Sequence, residues 1–131
     1  MRNVIVLACL ALSWSLASAQ RANPCANEDN TIEINKCLDR VFKEKDRELN
    51  QAYQSLLKHL SPSDSSDTTD YPAVRKGLAD AQRAWVIFRD SDCGALYKYW
   101  ETGSIRGIKY GYCRIEHTEQ RTMQLKEWAR V

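Results

Sequence analysis

Residues 31–60 read TIEINKCLDRVFKEKDRELNQAYQSLLKHL. Ile34, Cys37, Leu38, Val41, Phe42, Leu49, Tyr53, Leu56, Leu57 and Leu60 recur at steps of three and four, and Lys, Glu, Asp, Arg and Gln fill the opposite face. That period predicts an amphipathic α-helix from about Thr31 to Leu60. No Gly or Pro interrupts it, and at 1.5 Å per residue it runs for about 45 Å. Asn30-x-x-Glu33 just ahead reads as a capping box, with the Asn side chain accepting from backbone amides and Glu33 reaching back. The charges on the polar face, Asp39, Glu44, Asp46 and Glu48 among Lys36, Arg40, Lys43, Lys45 and Arg47, read as solvated i,i+4 pairs and not as a paired-carboxylate site.

Downstream, residues 61–70 form a polar stretch, SPSDSSDTTD, that ends this helix. It is expected to serve as a flexible linker over about 61–71. Pro72, tolerated in a helix first turn, opens a second helix, predicted from about Ala73 to Trp100 and marked by Val74, Leu78, Ala81, Trp85, Phe88, Asp92, Leu96 and Tyr99. Val86-Ile87 on a neighbouring face suggests burial on more than one side, as for the middle member of a bundle. Thr102 to Gly111 carries Gly103, Gly107 and Gly111 and is expected to be a loop. A third helix is predicted from Tyr112, with Ile115, Thr118, Met123, Leu125 and Trp128 as its stripe. No segment alternates like a strand. The expectation is therefore an all-α domain, a three-helix up-down-up bundle.

Upstream, Arg2 precedes an apolar run from Val4 to Leu16, and Ala17-Ser18-Ala19 gives the small-x-small pattern that a signal peptidase cuts. Residues 1–19 are read as a signal peptide cleaved after Ala19, and residues 20–131 as the helical domain, destined for the periplasm or for secretion without a membrane span. Cys9 leaves with the signal. Cys25, Cys37, Cys93 and Cys113 remain, an even set that in a small exported chain predicts two disulfides. The antiparallel registers of the first two helices bring all four to one pole. Three pairings are formally possible. Cys25–Cys37 with Cys93–Cys113 is favoured because each closes a short loop, and Cys37–Cys93 with Cys25–Cys113 stays open. A metal site is not expected, since no C-x-x-C is present and only His59 and His117 could assist.

Net charge is +2 for the full chain, with both signs interleaved. That balance gives no support for nucleic acid or an anionic membrane as partner. No nucleophile elbow and no phosphate-cradling loop occurs, so the chain is not expected to be an enzyme or to need a cofactor. Two segments stand out. Gln82-x-x-Trp85-x-x-Phe88-Arg89-Asp90-x-x-Cys93 puts Gln82, Trp85 and Arg89 on one helix face; it reads first as a structural motif, with Trp85 and Phe88 in the core and Arg89 and Asp90 tying helices together. The 102–112 segment mixes glycines, basic residues and tyrosines, and a loop closed by a disulfide loses less entropy on binding. Arg106, Lys109 and Tyr110 are its candidate partner-binding residues.

Five pieces in order carry a family resemblance: Cys25; Glu33-x-Asn35-x-Cys37; Asp46-x-x-Leu49-Asn50-x-x-Tyr53-x-x-Leu56; the Gln82–Cys93 motif; and Cys113-x-x-x-x-Thr118-x-x-Arg121-x-x-x-Leu125. Together they resemble the lysozyme inhibitor LprI-like N-terminal domain family over nearly the whole mature chain. The resemblance implies a bacterial, exported, helical, disulfide-bonded protein. It implies a protein partner, with lysozyme as the first candidate. An envelope-stress or interaction module with a different partner is the alternative, and the sequence sets no oligomeric state.

Overall fold

The computed structural model describes residues 23–62 and 65–130; the signal segment and its cleavage after Ala19 lie outside them. Among the described residues there are three α-helices and no strand: α1 Thr31–His59, α2 Tyr71–Tyr99 and α3 Arg106–Trp128. None is long and apolar enough to cross a membrane.

Each start has a local cause. Asn30 is extended, and its Oδ1 accepts from the amides of Ile32 and Glu33 at 3.0 and 3.1 Å, which satisfies two donors that the first turn leaves free. The other half of the expected capping box is different, because the Glu33 carboxylate pairs with Lys36 at 2.9 Å. Asp70 caps α2 through the Ala73 amide at 3.0 Å with Pro72 in the first turn, so α2 opens at Tyr71, two residues ahead of expectation. The connector is tied at both sides: Arg75 Nε donates to the Leu60 carbonyl, and the Tyr71 hydroxyl donates to Asp67.

The third helix departs most from expectation. It begins at Arg106, so only residues 100–105 connect it to α2. Gly107 and Gly111 do not break the chain; both lie within α3 on the face toward α1. A Cβ at Gly111 would stand 3.0 Å from Leu38 Cβ, and one at Gly107 would stand 2.8 Å from Asn35 Oδ1. Here glycine serves close helix approach, a use that local sequence does not distinguish from a turn.

That approach also decides which helix is central. α3 packs along α1, with which it runs parallel, and along the antiparallel α2, while α1 and α2 touch far less. The expectation that α2 occupies the middle is therefore overturned. Only Leu78, Arg89 and Cys93 of α2 are buried. Ile87 is 68% exposed and Phe88 54% exposed, so Phe88 is not a core residue; its ring instead meets His117 edge-on at 5.3 Å. The buried stripe of α3 is Gly111, Ile115, Thr118, Thr122 and Leu125, spaced four, three, four, three as in a coiled-coil seam. Met123 and Trp128, expected in the stripe, are exposed. Thr118 and Thr122 fit the seam because their hydroxyls donate to the carbonyls of Arg114 and Thr118, at 2.7 and 2.8 Å, which leaves neither buried hydroxyl without a partner.

The core has two parts. One lies at the disulfide pole and contains Cys25, Cys37, Leu38 and Ile115, with Ile34, Val41, Phe42, Ile108 and Tyr112 packed against it. The other holds Leu49, Ala52, Leu56, Leu78 and Leu125, flanked by Trp85 and Tyr53. The cysteines pair as Cys25–Cys37 and Cys93–Cys113, with Cα separations of 5.9 and 5.6 Å. The first fastens the N-terminal segment to α1, and the second fastens the outer helix α2 to the central helix α3.

Candidate functional site

The Gln82–Cys93 motif lies between the two halves of the core. Arg89 is 6% exposed. Its Nε donates to Asp90 at 2.9 Å, and its Nη1 reaches Asp46 of α1 at 3.3 Å and the Thr118 hydroxyl of α3 at 3.4 Å. The guanidinium lies 5.1 Å from the ring centres of both Phe42 and Trp85, a distance at which a cation is attracted to the ring face. Gln82 accepts from Arg121 Nε at 3.0 Å, and burial lowers the pKa of that guanidinium. These contacts hold Arg89 and Gln82 between the helices, while Phe88 and Asp90 of the same motif face outward.

The other segment builds an outward-facing surface. The end of α2, the 100–105 connection and the start of α3 form a corner beside the Cys93–Cys113 bond. Arg106 lies over the Tyr97 ring at 4.9 Å and donates to the Glu101 carbonyl at 2.9 Å. Lys109 lies over the Trp100 ring at 5.5 Å. Tyr110 meets Tyr97 edge-on at 5.8 Å and supports Arg114, whose guanidinium lies 4.4 Å from Tyr110 and 4.1 Å from Phe42. Arg114 in turn lies 3.6 Å from Asp39. The carboxyl of Asp39 is held below its ordinary pKa, chiefly by a hydrogen bond from Lys43 and further by the charge of Arg114. Tyr99 is 81% exposed and Trp100 37% exposed.

The structure thus brings Arg106, Lys109 and Tyr110 together, on a helix and not on a loop. Tyr97, Tyr99 and Trp100 complete the surface; Tyr99, expected in the stripe of α2, is turned outward. Tyr97 and Trp100 were not expected here, although three aromatics in four residues at the end of a helix carried the signal. Two physical features distinguish the corner. Aromatic side chains and arginine are the types that dominate protein–protein hot spots. The α3 N-terminus also has no side-chain cap and no acidic residue in its first turn; it carries Arg106 and Lys109 instead. Cations beside the positive end of a helix dipole are locally unfavourable, and together they make this pole attractive to a carboxylate.

The sequence pattern of the family described as lysozyme inhibitor LprI matches residues 22–125. The chain is also similar to an uncharacterised protein, R02472, of Rhizobium meliloti (strain 1021): the two are 30% identical over 115 residues, which covers 85% of this chain and 83% of that protein. No solved structure matches.

Proposed function

The chain belongs to the lysozyme inhibitor LprI family, and from that premise we propose that it is an exported, non-enzymatic protein that binds and inhibits a lysozyme through the α2–α3 corner. Family membership carries the choice of target, and the corner supplies a physical means. Lysozyme works with two carboxylates in a cleft. Arg106 and Lys109 offer donors to such groups from the end of a rigid helix. Tyr97, Tyr99 and Trp100 offer apolar area that loses little side-chain entropy on binding. Residues 1–19 act in this reading as the export signal, cleaved after Ala19, and the disulfides form in the compartment that follows. Net charge close to zero predicts association without strong electrostatic steering toward a basic lysozyme, so affinity rests on the local fit.

The test is the rate at which lysozyme clears a peptidoglycan suspension in the presence of the purified protein, with chicken-type and goose-type enzymes as targets. Inhibition at or below tens of micromolar is expected. Arg106→Ala with Lys109→Ala should weaken inhibition by roughly tenfold or more, as expected for interface residues costing above ~1.4 kcal/mol, with the thermal midpoint unchanged. Inhibition equal to the parent in that double variant would remove the corner from the mechanism. No inhibition of any lysozyme would favour the alternative, an envelope interaction module with a different protein partner, for which the exposed Ile87 and Phe88 of α2 form a second face.

A further inference from the structure

The Cys93–Cys113 bond does not stand alone. Asp92 precedes Cys93 on α2, and His117 follows Cys113 by one helical turn on α3, so that His117 and Cys113 lie on the same face. His117 Nε2 and Asp92 Oδ2 are 2.9 Å apart. One donor atom from each of Asp92, Cys93, Cys113 and His117 lies within 4.8 Å of all the others. Ligands held at about 2.0–2.3 Å around a tetrahedral zinc stand roughly 3.3–3.8 Å from one another, so once the two sulfur atoms part, the remaining donors need close by no more than about 1 Å to form such a site. A surface groove lined by Asp92, Lys109, Cys113, Glu116 and His117 opens onto three of the four, with Cys93 buried behind them, which gives an ion a way in. Spacing along the chain conceals this set, because two ligands come from each of two helices and no C-x-x-C occurs.

We propose that Cys93, Cys113, His117 and Asp92 form a zinc site when the Cys93–Cys113 disulfide is reduced, so that the metal replaces the covalent link between α2 and α3. The chemistry balances. A dithiol reductant transfers two electrons and two protons to the disulfide and becomes a disulfide itself, leaving two thiols. Zinc then displaces one proton from each thiol, and the His117 ring and the Asp92 carboxylate complete a four-coordinate Cys2HisAsp set of the kind zinc favours. In the oxidised chain the sulfur atoms are spent on each other, and only two of the four ligands remain for the metal. Disulfide and metal are thus alternative fastenings at one place, and which of them holds depends on redox state and zinc supply.

The test compares oxidised protein with protein reduced by a phosphine, which unlike a dithiol does not compete strongly for zinc. The reduced protein should bind one zinc per chain, gain thermal stability from it, and show a thiolate-to-cobalt charge-transfer band when cobalt replaces zinc. The oxidised protein should do none of these at the same metal concentration. His117→Ala and Asp92→Ala should each weaken binding by roughly tenfold or more, and the pair Cys25→Ser with Cys37→Ser should leave it intact. Circular dichroism covers the case in which reduction unfolds the chain: zinc should then restore helicity. Absence of zinc binding, failure of zinc to restore a melted reduced chain, binding unaffected by His117→Ala, or equal binding by the oxidised form would each overturn the proposal.

Discussion

Arg89 sits where the two halves of the core meet, and its neighbours explain how a guanidinium is tolerated there. Three oxygens, from Asp46, Asp90 and Thr118, accept from it, and Phe42 and Trp85 lie at 5.1 Å from its centre. Asp46 and Asp90 are themselves partly open to solvent, so the charge is not sealed into an apolar interior. Removing the guanidinium would leave Thr118 and two carboxylates short of a donor and open a gap between the rings. Charge-assisted hydrogen bonds contribute roughly 1.5–3 kcal/mol in such settings. Arg89→Ala should therefore lower unfolding stability by about 2–4 kcal/mol in denaturant titration. Arg89→Lys should recover only part of it, because an ammonium cannot reproduce the planar fork or stack between two rings. Full recovery by Lys would show that charge alone matters at this position. Of the structural use expected for the motif, the tie between helices is made by Arg89, whereas Phe88 is exposed and Asp90 pairs with Arg89 on its own helix; the partners on α1 and α3 were not legible, since Asp46 and Thr118 lie 43 and 29 residues away along the chain.

At the scale of the helix, glycine means different things at different positions. Gly77 in α2 has nothing near its absent side chain and weakens its helix without return, so Gly77→Ala should raise stability by roughly 0.5–1 kcal/mol, the difference in helix propensity. Gly111 in α3 faces Leu38 at 3.0 Å. Gly111→Val should force α1 and α3 apart and destabilise by about 1–3 kcal/mol, as overpacking does, despite the better helix propensity of valine. Thermal or chemical denaturation of the two variants should give opposite signs. The same sign for both would contradict the close approach of α1 and α3. Composition alone placed Gly103, Gly107 and Gly111 in one loop. Only Gly103 is in the connection, and the other two let α3 begin six residues earlier and lie against α1.

For the whole molecule, the notable asymmetry is that α2 is held weakly. It buries three residues, one of them Arg89 and one of them Cys93, while α1 and α3 share the longer seam. The Cys93–Cys113 bond, which closes a separation of 20 residues, restricts the unfolded chain by about 3 kcal/mol on the loop-entropy account. It also keeps the outer helix in place. Replacing both cysteines with Ser should therefore act unevenly. Amide hydrogen exchange should speed up across α2 and the α2–α3 corner, while α1 and the 111–125 seam of α3 keep most of their protection. Uniform loss of protection would mean that the three helices open as one unit. Because the corner carries Tyr97, Trp100, Arg106 and Lys109, the same bond pre-organises the proposed binding surface.

The sequence by itself determined the three helices, the ends of α1 and the set of cysteines able to pair, because hydrophobic period, caps and Cys parity are properties of neighbouring residues. It also drew attention to Arg106, Lys109 and Tyr110 through their composition. Tertiary structure alone decided which helix is central, where α3 begins, which aromatics join those three residues, and how a histidine and an aspartate come to stand beside a disulfide. The physical reason is that Gly111 and Thr122, unlike the other residues of the seam, have no place in the hydrophobic period of the sequence. Their place in the core depends on the distance to a neighbouring helix, and only the folded chain sets that distance.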